Sequence, residues 1–287
     1  MNTHLSDNGF DHPVGIYDLH CHSNHSDGEL DVATLIERAK SRGVTCLSIT
    51  DHDTVSAYRV IESLDHGDMR IIPGIEFSTF WRKIGVHVLG LHIDPECYSI
   101  VEGEAQQRRN RAKRARQIAE RLGKLGLGNL LGPVEVLAGD RPVGRPHFAT
   151  QMVRNGQVWD MREAFTRYLG DGRPGDVKCL WPGMETIIDW IKKAGGVAVL
   201  AHPLKYRLTH TRLRLLLEDF KQMGGGGIEV ISGRQETHVS HQLASLSTES
   251  GLLASCGSDF HRECQPWADL GCNGSLPKQC VPVWHDW

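Results

Sequence analysis

Short apolar runs and longer segments of helical periodicity take turns along this chain. The apolar runs are Ile16-Tyr17, Cys46-Leu47-Ser48-Ile49, Arg70-Ile71-Ile72, Val197-Ala198-Val199-Leu200 and Leu252-Leu253-Ala254. Each has the length of a buried strand, and polar residues follow closely after most of them. Helical spacing fills the gaps at 31–42, 54–64, 184–194, 211–222 and 238–249, with Gly43 and Gly195-Gly196 where C-terminal caps would fall. Strand, helix, strand, repeated, predicts a parallel α/β sheet, closed as a barrel or open and doubly wound. In parallel barrels the C-terminal ends of the strands carry the active site, which is where the polar residues stand here.

Bulk properties narrow this picture only slightly. The chain has 287 residues and 40% apolar content, enough for a sizeable core in one large domain or a domain with an insertion. A net charge of −3 exerts no global pull toward nucleic acid or anionic membrane. The polar segment 1–13 reads as a flexible tail without a signal peptide's apolar core, and no run of about 18 apolar residues occurs. The eight cysteines form no C-x-x-C pair, so they read as reduced thiols of a cytoplasmic protein. Cys256, Cys264, Cys272 and Cys280 are evenly spaced but match no familiar zinc motif, and their spacing reads as coincidence.

The polar residues at the strand ends carry the chemistry. They are Asp18-Leu19-His20-Cys21-His22 with Asp27, Thr50-Asp51-His52-Asp53, Gly74-Ile75-Glu76, Val86-His87, Ala201-His202-Pro203 and Gly257-Ser258-Asp259-Phe260-His261. Side chains alternate along a strand, so His20 and His22 share a face, as do Asp259 and His261. Of the sixteen histidines, His4, His12, His25, His66, His210, His238, His241 and His285 read as ordinary surface or hydrogen-bonded residues. His92 would fall on the opposite strand face from His87. The paired imidazoles and acids differ from these: buried together, they would leave polar groups unpaired unless a cation tied them together.

With these motifs in order from about Ile16 to Trp284, the chain resembles the PHP (polymerase and histidinol phosphatase) phosphoesterases. It is most similar to their subgroup of ribonuclease AM and nucleoside 3′,5′-bisphosphate phosphatases. The resemblance implies a distorted (β/α)7 barrel spanning 14–287. It also implies a site of two or three divalent ions. His20, His22, Glu76 and Asp259 would hold the first; Glu76, His87 and His202 the second; Asp27, His52 and His261 the third. Asp18 and Asp51 would orient imidazoles through hydrogen bonds. Mixed imidazole and carboxylate ligands suit manganese, zinc or iron better than calcium; manganese is the expected ion, with zinc or iron as alternatives, and clustered ions of that kind activate water against phosphorus. Asp259, His261 and His202, with Arg145, are the side chains expected to carry catalysis.

A segment at 104–175 interrupts the barrel pattern and reads as an inserted, mainly helical subdomain. Arg108, Arg109, Arg111, Lys113, Arg114 and Arg116 crowd its first helix without an acid between them. Arg109, Lys113 and Arg116 read as a solvated face. Arg111 lies on one stripe with Ala115, Ile118 and Leu122, so it is expected to point into the cleft. In Val143-Gly144-Arg145-Pro146-His147, a proline at a first helical position would aim Arg145 and free amides at an anion. Arg145 would hold a second phosphate, and the resemblance adds His147 to the same motif. Lys178 is a further substrate-binding candidate. Asp171 stands where the subgroup has a basic residue, which weakens a phosphate role for the loop around it.

The expected enzyme is a phosphoesterase that uses metal-activated water. The resemblance alone implies its substrates: short 5′-phosphorylated RNA trimmed 5′ to 3′, and nucleoside 3′,5′-bisphosphates. No membrane association and no obligate protein partner are expected. Histidinol-phosphate phosphatase and amidohydrolase or deaminase activities are the alternatives, and a non-catalytic metal-stabilised RNA-binding module is a third.

Overall fold

A computed structural model describes residues 15–177 and 180–287. The tail 1–13 and Lys178 fall outside the described residues. Eight strands are described: β1 (Ile16–Cys21), β2 (Val44–Ile49), β3 (Arg70–Ile71), β4 (Gly74–Trp81), β5 (Ile84–Leu91), β6 (Val197–Leu200), β7 (Gly227–Ser232) and β8 (Leu253–Gly257). They form two sheets, ordered β1-β2-β3 and β4-β5-β6-β7-β8. The fold is therefore mixed α/β, and the hydrogen-bonded sheets are open where a closed seven-stranded barrel was expected.

The expectation of an all-parallel sheet also needs correction. β4 pairs antiparallel with β5, and β5 antiparallel with β6, while β1-β2-β3 and β6-β7-β8 are parallel. The cause is a two-residue turn at Arg82-Lys83, both in the left-handed region with φ of 46° and 71°. That geometry matches the twist of a tight hairpin and sends the chain straight back.

Helices α1 (Val32–Ser41), α2 (Tyr58–Ile61), α3 (Tyr98–Leu122), α4 (Leu131–Ala138), α5 (Arg145–Arg154), α6 (Met161–Ala164), α7 (Met184–Lys193), α8 (His210–Gln222) and α9 (Thr237–Ser250) complete the described fold. α1 begins where the Asp31 carboxylate accepts from the Thr34 amide at 2.8 Å, and it buries Val32, Leu35, Ile36 and Ala39. α2 is far shorter than the expected 54–64 because the residues before it are held elsewhere. Thr54 donates to Glu104 at 2.6 Å, and Ser56 meets His25 at 2.8 Å.

Between β5 and β6 the chain builds α3 to α7, and α3 to α6 cluster together. Leu122, Val134, Phe148, Met152 and Leu169 form an apolar core of their own there, separate from the core around the sheets. Position 104 falls inside α3, which already begins at Tyr98, where Ile100 is buried in the main core. One continuous helix thus starts on the sheet body and ends among the inserted helices.

Candidate active site and metal centre

The candidate ligands sit at two seams where the sheets meet. At one, the Asp259 amide donates to the His20 carbonyl at 2.7 Å and the His22 amide to the Phe260 carbonyl at 2.9 Å. At the other, the Asp53 amide donates to the Glu76 carbonyl at 2.9 Å. The first seam needs a glycine, because a Cβ on Gly257 would lie 2.3 Å from the Cβ of His20. His202, Asp53 and Asp259 adopt positive φ of 26°, 55° and 55°, strained conformations of the kind that collect at functional sites.

Glu76 is the hub of the cluster. Its Oε1 lies 2.9 Å from His87 Nδ1 and 2.9 Å from His202 Nε2. Its Oε2 lies 2.9 Å from His52 Nδ1, 3.2 Å from His22 Nε2 and 3.4 Å from His20 Nε2. The β4/β5 register sets Ser78 opposite His87, which puts Glu76 and His87 diagonally on one face. Asp259 Oδ1 lies 3.4 Å from His22 Nε2, and Asp27 Oδ1 lies 3.4 Å from His261 Nε2.

All nine candidate ligands fall into overlapping groups whose donor atoms lie within 4.8 Å of one another. The groups are His20-His22-Asp259, His20-Glu76-His202, His52-Glu76-His87 and His22-Asp27-His52-His261. The partition differs from the expected one: His87 and His202 group separately around Glu76, and His22 joins the Asp27 set.

This donor set fits divalent cations. His22 Nδ1, Asp27 Oδ1, His52 Nδ1, Glu76 Oε2 and His202 Nδ1 are buried without a hydrogen-bond partner. Buried polar atoms are rarely left so, and these five all belong to residues of the cluster. Protonation states agree with ligation. Burial pushes the Glu76 carboxyl up, but His52, His87 and His20 outweigh it and hold it well below the usual range. Burial lowers His52 to about 4 and His202 to about 3, so both are neutral imidazoles near pH 7. His20 is the exception: Glu229 and Glu76 overcome its burial and raise it to about 10, so a cation there takes the place of a proton.

Two expected orienting residues act differently. Asp18 accepts from the Ser258 and Gly271 amides at 2.8 and 2.9 Å, and Asp51 accepts from the Ser23 amide and hydroxyl and the Ser26 hydroxyl. They hold ligand-bearing loops, not imidazoles. Glu229 does the orienting instead: its Oε1 lies 2.9 Å from His20 Nδ1 and its Oε2 accepts from the His202 amide at 2.5 Å.

Above the cluster opens a cleft of about 670 Å³ lined by Glu76, His87, His202 and, from the inserted helices, Arg111, Arg114 and Arg145. Arg111 is buried and paired with Asp53, its Nε 2.7 Å from Oδ2. Arg145 is itself the first residue of α5, with Pro146 second; it donates to the Leu169 carbonyl at 3.1 Å and lies 3.4 Å from Asp171. His147 is turned inward, its Nδ1 accepting from the Gly144 amide at 3.0 Å, and burial lowers it to about 4. That bond caps α5, and His147 lines a smaller neighbouring pocket instead of the main cleft. Arg108, Arg109, Lys113 and Arg116 are exposed.

Comparison with known proteins now fixes the lineage. The PHP domain profile matches residues 18–135. A 5′-3′ exoribonuclease of Haemophilus influenzae is 39% identical over 94% of this chain and 98% of its own length. The chain belongs to the PHP domain family. A 3′,5′-nucleoside bisphosphate phosphatase of Chromobacterium violaceum is 38% identical over 94% of this chain and 95% of its own. A Chromobacterium violaceum structure described as an amidohydrolase with bound sulfate and no metal superposes with a TM-score of 0.86, at 37% identity over 94% of this chain and 95% of that one.

In this PHP chain, four side chains at the cluster or its cleft escaped the sequence reading. Glu229 stands in a Gly227-Ile228-Glu229 triplet that repeats Gly74-Ile75-Glu76, and that repeat was the available signal. Lys205, one turn after His202, pairs with Asp259. Arg114 follows Arg111 by three positions on α3; burial lowers its pKa, with Arg145 and Arg111 adding to the effect. Asp53 carries no signal in the sequence beyond its place in the Thr50-Asp51-His52-Asp53 motif. Glu229→Gln is expected to weaken manganese binding about 10- to 100-fold, because the amide cannot accept from both His20 and His202. Calorimetric titration with manganese checks this, and an unchanged affinity would rule out the orienting role.

Among the described residues no helix is long and apolar enough to cross a membrane, and every cysteine is unpaired. Cys256 and Cys280 are buried while Cys264 is exposed, so the even spacing does not gather them.

Proposed function

We propose that this protein is a metal-dependent phosphoesterase of nucleotides. It trims short 5′-phosphorylated RNA from the 5′ end and hydrolyses nucleoside 3′,5′-bisphosphates. The observation that carries the reading is one cleft in which seven of the nine candidate ligands, with His20 and His22 buried behind them, face a group of guanidiniums from the inserted helices. Two or three ions, manganese foremost, would be held by His20, His22, Asp27, His52, Glu76, His87, His202, Asp259 and His261. The chemistry that such ions supply when bound is neutralisation of charge on the non-bridging oxygens and acidification of the attacking water. The two sheets, joined at their seams, would serve as the distorted barrel of the PHP type, and 104–175 as its substrate-holding subdomain. Unpaired cysteines support a cytoplasmic location.

The chain's own residues position the substrate. Arg145 and Arg114 would take the phosphate remote from the reacting one, while Arg111, neutralised by Asp53, shapes the wall. Lys205 and His261 flank Asp259 and would hold oxygens of the reacting phosphoryl group. A small amino-alcohol phosphate has no use for the remote arginines, which disfavours histidinol phosphate. Phosphoesterase relatives over nearly the whole chain disfavour amidohydrolysis. The sulfate of the Chromobacterium violaceum structure is in keeping with an oxyanion site.

The test is release of phosphate from adenosine 3′,5′-bisphosphate and of mononucleotide from a 5′-phosphorylated RNA oligomer by manganese-loaded protein, with Asp259→Ala as control. Release from both, lost in the variant, is expected; release from neither would sink the reading. In the same assay Arg145→Ala is expected to raise KM for both substrates about 10- to 100-fold, the worth of a charged hydrogen bond. It should spare a generic aryl phosphate, since it leaves the ligands in place. Equal losses on all three would remove the remote-phosphate role.

A further inference from the structure

A second cleft, of about 530 Å³, opens beside the first and shares Asp27, Lys205, Asp259 and His261 with it. The ligand cluster therefore lies where two grooves join. The wall of the second groove carries Arg162 from α6, Arg234 from the loop after β7 and Arg262 from the segment after β8. Arg162 and Arg234 are exposed and Arg262 is half-buried. None of the three has an acidic partner among the described residues, whereas Arg111 and Arg145 of the first cleft are matched by Asp53 and Asp171. Among the described residues, the only acids lining the groove, Asp27 and Asp259, belong to the ligand cluster. Beside these cations stands Trp267, 59% exposed and tied to Arg234 by a 2.6 Å bond from the Arg234 amide to the Trp267 carbonyl.

We infer that this second groove carries the part of a single-stranded RNA that continues beyond the scissile phosphate. The inference rests on the nucleotide phosphoesterase reading above and extends it. A nucleoside bisphosphate ends at the reacting phosphorus, with a nucleoside on one side and only terminal oxygens on the other, so it fills one cleft. An RNA chain continues on both sides of that phosphorus and needs two. Unpaired guanidiniums following a groove neutralise successive phosphates, and an exposed indole offers a stacking face that every base can use. The groove thus distinguishes the two substrate classes, because RNA engages it and the bisphosphate does not.

The experiment compares Arg162→Ala/Arg234→Ala and Trp267→Ala with the parent protein on a 5′-phosphorylated oligoribonucleotide of about ten nucleotides and on adenosine 3′,5′-bisphosphate. Each variant is expected to lose about tenfold or more in kcat/KM on the oligomer. Bisphosphate kinetics and melting temperature should stay at parent values. For the double variant the salt dependence of oligomer KM should flatten by about two phosphate contacts. Equal losses on both substrates, or no loss on the oligomer, overturn the inference. A parent protein that hydrolyses the bisphosphate but leaves the oligomer intact overturns it together with the RNA half of the proposed function. A parent that cleaves the oligomer as fast as both variants overturns the groove alone.

Discussion

Glu76→Ala is expected to abolish hydrolysis of every phosphate ester substrate, with a loss on the order of 10³-fold or more. The reason is connectivity: this one carboxylate lies within 3.4 Å of nitrogens from His20, His22, His52, His87 and His202. It supplies the negative charge that two of the four candidate ligand groups share, and it is the one acid on β4. Glu76→Gln keeps the shape and removes the charge, so it separates packing from electrostatics. Both variants should show reduced manganese content by elemental analysis while remaining folded by circular dichroism. A Glu76→Ala protein with full metal content and parent activity would show that the cluster is organised around another residue.

Asp53→Ala has the second large effect, on stability. Asp53 and Arg111 are both buried, and the carboxylate accepts from Arg111 Nε at 2.7 Å, Gln107 Nε2 at 2.8 Å and the Ser78 amide at 2.7 Å. Removing one partner of such a pair leaves a buried charge and costs about 3–5 kcal/mol, or roughly 6–20 °C in melting temperature for a chain of this size. Asp53→Ala/Arg111→Met removes both charges and should recover a large part of that loss, since the two residues are coupled. Thermal melts of the three proteins decide the matter. If Asp53→Ala melts within about a degree of the parent, the pair does not hold α3 to the ligand-bearing strands. The position matters for activity too, because Asp53 follows His52 directly and its amide donates to the Glu76 carbonyl.

The tight turn at Arg82-Lys83 and the shortened α2 show where local pattern stopped being informative. Neither Arg nor Lys favours positive φ, so the sequence carried no turn signal there, and only the pairing of β4 with β5 makes the hairpin necessary. Residues 54–57 have helical spacing, yet Thr54 and Ser56 are held by Glu104 and His25, contacts that periodicity cannot register. Glu229 shows the same limit from the other side: a lone acid in an apolar strand is legible as buried, but its partners His20 and His202 lie 209 and 27 residues away.

By itself the sequence pointed to the chemistry, because imidazoles and carboxylates two apart on strands and just beyond strand ends are candidate metal ligands wherever the strands go. It also determined the inward direction of Arg111, since an apolar stripe on a helix fixes which face is buried. Tertiary structure alone decided how the nine ligands divide among themselves, that Asp53 claims Arg111, that His147 caps its own helix, and that a second basic groove meets the first at the cluster. These are relations between residues distant in the chain, and they depend on how two sheets meet, which side-chain periodicity does not encode.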